Sequence, residues 1–305
     1  MERFEFDGGN PLWRLCSHVI IDDRDARCVA LVNPRLAEAD GTPYGQIGWF
    51  EATGESAARR VLDSALAWLA EQGCRTALGP MHGSTWHRYR FVTESGDTPP
   101  FLLEPSNPPS YPLWWQAHGF LPVEPAYLSS VQDNRAAINL LATGRRAAEE
   151  RGYRVEHAEL GDLSLVLRRV YQMSTEAFRD NPLYSDISWD EFAALYQGIE
   201  RVLEPTLIHW LRGPDGDVVG FGFGLRDLTG PAPVRSIFKS MAIAAAHQGK
   251  GLASALFHEQ AVQAVRLGCP VGVRALMAEG NRSFATGRAL NDVVRRYALF
   301  SRAAL

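Results

Sequence analysis

Gln248-Gly249-Lys250-Gly251-Leu252-Ala253 is the stretch of this chain best suited to hold an anion. It lies between an apolar run, VRSIFKSMAIAAA (234–246), and a helix-like run, GLASALFHEQAVQAVRLG (251–268). A helix N-terminus presents unpaired N–H groups and a partial positive charge. Glycines ahead of it let the backbone approach a phosphate closely. Gly249 and Gly251 supply that freedom, Lys250 supplies a cation, and Ser254 follows in the first helical turn. The context suits a diphosphate. The spacing matches neither the G-x-x-x-x-G-K-[ST] loop nor the G-x-G-x-x-G fingerprint, which argues against a nucleoside triphosphate or a dinucleotide.

Other side chains with chemical potential are more dispersed. His82 and His87 form the closest histidine pair, without a third ligand at a suitable spacing, so no metal is expected. His209, in LIHWL, reads as a core or edge histidine, and His247 as a turn residue beside the glycine loop. Glu259 reads as a solvated mid-helix residue sharing a face with Ala255. The four cysteines, Cys16, Cys28, Cys74 and Cys269, are scattered, which fits reduced thiols and a cytoplasmic setting.

The elements around these residues read as mixed α/β. ARCVALVNPR (26–35) and YGQIGWFEA (44–52) look like strands. SAARRVLDSALAWLAEQG (56–73) repeats its apolar residues at helical spacing, with Ser56 as the expected N-cap and Gly73 as the stop. CRTALGPM (74–81) is a short strand, and the proline-dense GDTPPFLLEPSNPPSYP (96–112) is an irregular loop. LWWQAHGFLPVEPAYLSSV (113–131) gives a short helix and then strand-like sequence. DNRAAINLLATGRRAAEERG (133–152) reads as an exposed helical connector carrying the domain boundary, dividing the chain into 1–140 and 141–305.

Beyond it come a strand (153–160), an amphipathic helix (163–178), and a second helix (188–203) with a Ser188/Glu191 capping box. A hairpin (206–228) turning at PDGD follows. Then come the buried strand 234–246, the helix 251–268, a strand (270–278), a helix opening at 280 and a closing strand (293–303).

Composition sets outer limits. The 305 residues are 46% hydrophobic and 22% charged, a normal globular balance for two domains. The net charge of -4 argues against broad nucleic-acid binding. No apolar run is long enough for a membrane span, and MERFEFDGGN has no signal-peptide pattern.

The spacing Q-x-x-G-x-A, met by Gln248, Gly251 and Ala253, resembles the acyl-CoA pyrophosphate loop of the GCN5-related N-acetyltransferases. The element order over 153–303 is similar to that family's. AEGNRSF (278–284) places Asn281 at its helix-opening asparagine, with Phe284 just beyond. NPPSYPLWWQAHGF (107–120) resembles a second family segment, with Trp115 near a tyrosine position, while the first half lacks the loop pattern. The chain thus resembles a tandem, two-domain form, of a kind seen in bacteria, with a degenerate first domain. The implied fold is α/β (α+β): two acyl-CoA N-acyltransferase-like domains, each a mixed, mostly antiparallel sheet flanked by helices.

The resemblance implies acetyl-CoA or another acyl-CoA bound in the second half, with Met241, Ala242 and Ile243 along the acyl and pantetheine arm and an amine attacking the thioester directly. Strand N–H groups would polarise the carbonyl. The family's thiolate-protonating tyrosine falls seven residues after Asn281, where this chain has Arg288, so Tyr297 becomes the candidate acid. The loop RDNPLYSDIS, where the family meets its acceptor, offers Asp180, Tyr184 and Asp186. The implied partner is a small-molecule acceptor, with no nucleic acid or membrane, acting as a monomer or homodimer. A non-catalytic acyl-CoA-binding module and acyl transfer to a non-amine acceptor are the alternatives.

Overall fold

The structure, a computed structural model, describes residues 11–199, 203–230, 232–280, 286 and 292–304. The first half of the chain folds as β1 (Ser17–Asp23), β2 (Ala26–Ala37), β3 (Pro43–Ala52), α1 (Glu55–Glu71), β4 (Thr76–Gly79), β5 (Phe91–Ser95), α2 (Ser110–Ala117) and β6 (Leu121–Asp133). The second half begins with α3 (Asn134–Glu150), β7 (Arg154–His157), α4 (Leu163–Ala177), α5 (Trp189–Leu195) and β8 (Ile208–Arg212). It continues with β9 (Val218–Asp227), β10 (Arg235–Ile243), α6 (Ala253–Arg266), β11 (Val271–Ala278) and β12 (Asp292–Ala303). The expected helix opening at 280 lies largely outside the described residues.

The described strands join one sheet in the order β1-β2-β3-β4-β12-β6-β11-β10-β9-β8-β7, with β5 also pairing with β12. Most neighbours are antiparallel; β3 with β4 and β10 with β11 are parallel. Each parallel pair is joined through a helix, α1 or α6, as parallel strands require. The closing strands are exchanged between the halves. β12, at the chain's end, lies between β4 and β6, while β6, the last strand of the first half, lies against β11. The division expected at 140/141 falls inside α3, and the sheet runs unbroken past it.

The local reasons are mostly those of the sequence pattern. Val61, Leu62, Ala65, Leu66 and Leu69 of α1 are all buried, and Gly73 stops the helix with φ +80°. The cap differs from expectation: Gly54 is the N-cap and Ser56 lies in the first turn. β3 runs to Ala52, so only Thr53 and Gly54 separate strand from helix. The Ser188/Glu191 capping box is present, with the Glu191 amide donating to Ser188 Oγ (3.2 Å) and the Ser188 amide to Glu191 Oε2 (2.6 Å).

Trp115 is fully buried against Phe50, Phe91 and Phe120. Gly79 passes beneath it so closely that a Cβ there would sit 2.4 Å from the indole.

Two further expectations are corrected. The connector 133–152 is not simply exposed: α3 packs along α6 through Ala137, Leu141 and Ala148. Its small residues permit the approach, since a Cβ on Gly144 would come 2.6 Å from Ser254 Cβ. The strand expected over 234–246 ends at Ile243 and is only partly buried at Lys239, Ser240, Met241 and Ile243.

Candidate functional site

β10 and β11 pair side by side from Arg235↔Val271 to Phe238↔Arg274 and then part. Past that point β10 pairs only with β9, from Ser240↔Phe223 to Ile243↔Gly220, after an irregularity at Lys239. β11, paired with β6 from Val271 on, kinks between Arg274 and Met277, with Leu276 at φ +55° and its amide donating to Ser129 Oγ (2.9 Å). The gap leaves one side of Met241, Ala242 and Ile243 without a strand neighbour among the described residues. Lys239 stands where the strands separate. Its Nζ lies 3.2 Å from the Tyr196 hydroxyl, over the rings of Tyr196 and Phe223.

The chain then crosses from β10 to α6 through residues 244–252. Gln248 folds its side chain back, Nε2 donating to the Ile243 carbonyl (2.9 Å), which fixes the loop to the strand end. Gly249 and Gly251 adopt φ +74° and +71°, the left-handed region that glycine enters without strain. A Cβ at either would meet nothing within 4 Å. The glycines are therefore required by backbone conformation and not by neighbouring packing. Among the described residues, no backbone acceptor takes the amides of Gly249, Lys250, Gly251, Leu252 or Ala253. Leu252, the N-cap of α6, offers no side-chain cap.

The result, among the described residues, is a helix start whose donors have no partner and whose surface is clear, as an anion site needs. The loop is braced from outside: Arg151 Nη2 donates to the Lys250 carbonyl (2.7 Å), and Tyr153 Oη lies 3.4 Å from Lys250 Nζ and 3.0 Å from His247 Nδ1. Sequence alone does not mark Arg151 or Tyr153, because nothing local signals a brace that reaches across 99 residues.

The loop between α4 and α5 is held by the first half. Arg35 Nη1 donates to both Glu191 carboxylate oxygens (3.0 and 2.8 Å) and to the Asp186 carbonyl (3.1 Å). Trp86 Nε1 donates to the Ser185 carbonyl (2.9 Å). Tyr184 donates its hydroxyl to the Thr175 carbonyl (3.2 Å). Burial, with the neighbouring Asp186 carboxylate, pushes that phenol up to about 12. At neutral pH Tyr184 therefore holds its proton and does not serve as a general base.

Tyr297 is fully buried in β12, donating to Glu104 Oε1 (2.5 Å) and accepting from the Ser129 hydroxyl (3.0 Å), with β6 between its strand and β11. Asn281, Phe284 and Arg288 lie outside the described residues. Glu259, expected in solvent, is 8% exposed, closed in by Arg145 of α3, whose Nη1 lies 3.4 Å from its carboxylate, and by His157 of β7 at 3.9 Å.

The equivalent gap in the first half is closed. β3 and β4 pair at Gly45↔Ala77 and Gln46↔Leu78, and the Met81 amide then donates to the Ile47 carbonyl (2.9 Å). Trp49, at φ +47°, stacks on His82 (3.9 Å) and donates its amide to His82 Nε2 (3.1 Å). Thr53 and Gly54 alone then reach α1, too short a link to form a cradle.

Burial lowers the His82 pKa to about 3, and its lone pair is already used by Trp49. The unfolded chain therefore takes up this proton first, from about pH 6.5. The stabilisation from neutral His82 is full above that pH and is lost as pH falls toward 3. His82→Gln should flatten the acid limb of a urea-unfolding series by up to about 1.4 kcal/mol per pH unit. An unchanged slope between pH 6.5 and 4.5 would exclude this origin.

No protein-family model matches the sequence, and no curated protein matches it. Solved structures do match. A tandem GNAT protein from the clavulanic acid biosynthesis pathway aligns over 95% of this chain and 84% of its own, at TM-score 0.54 and 13% identity. A GCN5-related N-acetyltransferase from Sphaerobacter thermophilus aligns over 93% and 82%, at TM-score 0.50 and 14% identity. A glucosamine N-acetyltransferase region of a fungal multi-domain GH3 β-N-acetylglucosaminidase aligns over 95% of this chain and 34% of its own, at TM-score 0.57 and 12% identity. The parted parallel strands, the glycine loop and these alignments agree: the chain has the fold of the GCN5-related N-acetyltransferase superfamily, extending over both halves.

Proposed function

We propose that the second half binds an acyl-CoA, acetyl-CoA in the first instance, and transfers its acyl group to a small-molecule amine. The observation that carries this is the glycine loop with free amides directly after a strand that has parted from its neighbour. The amides of Gly249, Lys250, Gly251, Leu252 and Ala253 would hold the diphosphate, with Lys250 adding charge and Ser254 in the adjoining turn. Met241, Ala242 and Ile243 would lie along the pantetheine arm, and their unpaired strand edge offers donors for a developing oxyanion. When bound, the thioester supplies an acyl group activated toward nucleophiles. The first half serves as a wall: through Arg35 and Trp86 it fixes the loop that faces the acceptor. Tyr184, whose hydroxyl is bonded to the Thr175 carbonyl, and the Asp186 carboxylate are the candidate polar side chains there.

The test is calorimetry with acetyl-CoA, followed by thiol release with panels of amines, amino acids and aminoglycosides. Micromolar binding and thiol release with an amine are expected. No binding at millimolar CoA would overturn the proposal. Binding without turnover would favour a second reading, a non-catalytic acyl-CoA-binding module. The commitment of Tyr297 to Glu104 and Ser129 speaks for that reading, because it removes the candidate acid from the gap.

A further inference from the structure

His157 on β7 and His209 on β8 are directly opposite each other in the antiparallel ladder. Side chains in that relation lie on one face of the sheet, close enough to act together. Their ring centroids are 5.1 Å apart. Glu259 of α6 covers the pair, its Oε1 lying 3.9 Å from His157 Nε2. One ligand atom from each of the three residues falls within 4.8 Å of the others.

His209 has no solvent exposure, and among the described residues neither of its ring nitrogens has a hydrogen-bond partner. A buried neutral imidazole carries a donor and an acceptor, and leaving both unmet is unfavourable. The next residue on α6, Gln260, is also buried, with both amide atoms unpartnered among the described residues. Its side chain lies against Gly222, the β9 register partner of His209. The interior at this point is thus polar without being satisfied.

We propose that His157, His209 and Glu259 form a site for one divalent transition-metal ion of the zinc class. Two imidazoles and a carboxylate are donors such ions take in four-coordinate sites, leaving a fourth position for water or another ligand. Ligand atoms around zinc stand roughly 3.3–3.5 Å apart, given bonds of about 2.0–2.1 Å. The present spacing needs a contraction of up to about 1.4 Å, within reach because His157 is 45% exposed on an edge strand and can turn inward. The exposure of His157 at the sheet edge also gives an ion a path from solvent. A bound ion would tie β7, β8 and α6 together, and α6 is the helix whose start forms the glycine loop.

One group opposes the ion. Arg145 Nη1 is 3.4 Å from Glu259 Oε2, while Gln263 Nε2 donates to Oε1 (2.7 Å). This gives the site a signature that adventitious binding to a surface histidine would lack. Tag-free, full-length protein is titrated with zinc by calorimetry and with cobalt(II) by absorbance. The expected result is one ion per chain, with the intense visible bands of four-coordinate cobalt. His157→Ala and Glu259→Gln should each weaken zinc at least about tenfold while leaving the circular dichroism spectrum unchanged, and Arg145→Ala should tighten it. His209→Ala risks misfolding, so the test relies on the other variants. No binding at 100-micromolar-range zinc, or affinity indifferent to His157→Ala and Glu259→Gln, would overturn the proposal.

Discussion

Arg235→Met is expected to cost about 3–5 kcal/mol of folding stability, a large share of the margin typical of a domain. Arg235 and Asp227 face each other in register across β10 and β9, their charged atoms 2.5 Å apart, with side-chain exposures of 7% and 0%. The same guanidinium donates to the carbonyls of Pro99 (2.8 Å) and Pro100 (2.6 Å), in the proline-dense loop of the first half. It therefore neutralises a buried carboxylate and also joins the two halves. Removing it strands the Asp227 charge, which among the described residues keeps only Thr229 as a hydrogen-bond donor, at its other oxygen. A stranded buried charge is far more costly than the net value of the intact pair. The double variant Asp227→Leu/Arg235→Met should for that reason recover much of the loss. Arg235→Lys should not, because a single ammonium cannot reproduce the fork that serves both carbonyls and the carboxylate. Urea unfolding at neutral pH measures all three. A loss under about 1 kcal/mol for Arg235→Met would mean that Asp227 is not held as a buried anion.

How far the sequence is legible follows the range of the interaction concerned. The glycine loop is readable because its cause is local: two glycines, a glutamine and a helix start within a few residues. The α1 core stripe and the Ser188/Glu191 box are local in the same sense. The exchange of β6 and β12 is not readable. Strand pairing is set by contacts far apart in the chain, and an alternating strand does not name its neighbour. Tyr297 shows the consequence. Its alternating surroundings mark a strand, but its partner Glu104 lies 193 residues away, in a loop that reads only as irregular. Glu259 misleads for a related reason. Helical periodicity identifies one buried face of α6, while α3 covers a second at Phe257 and Ala261, and Glu259 is closed in between Arg145 of α3 and His157 of β7. β1 and β5 also escape the pattern; β1 is an edge strand with no fully buried position and β5 is short.

The closed gap in the first half gives the two-half arrangement physical content. Both halves set a parallel strand pair before a helix, but only the second lets its strands part and gives the following turn room. In the first, Trp49, His82 and Met81 fill or bond across the place where a cofactor arm would run. That half contributes Arg35 and Trp86 to the other side of the molecule. A half that positions a loop of its neighbour has reason to retain its packing without retaining a site.

Gly251→Val is expected to weaken acetyl-CoA binding by about 100-fold or more. At φ +71° a β-branched residue is strained by more than the 1–2 kcal/mol usual for an L-residue in that region, so the loop would shift to relieve it. A shift turns the Gly251 and Leu252 amides away from any common centre. Each hydrogen bond to a charged group contributes about 1.5–3 kcal/mol, and losing two corresponds to a 100-fold or greater change in affinity. Packing would not interfere with this reading, because a Cβ at Gly251 has no neighbour within 4 Å. Gly41→Val supplies the control: it has φ +87° and equally open surroundings, but lies in the turn between β2 and β3. It should lose similar stability and keep its affinity. Calorimetry on the two variants separates strain from site. Equal affinity in both would detach the loop from the cofactor, and equal weakening in both would attribute the effect to global instability.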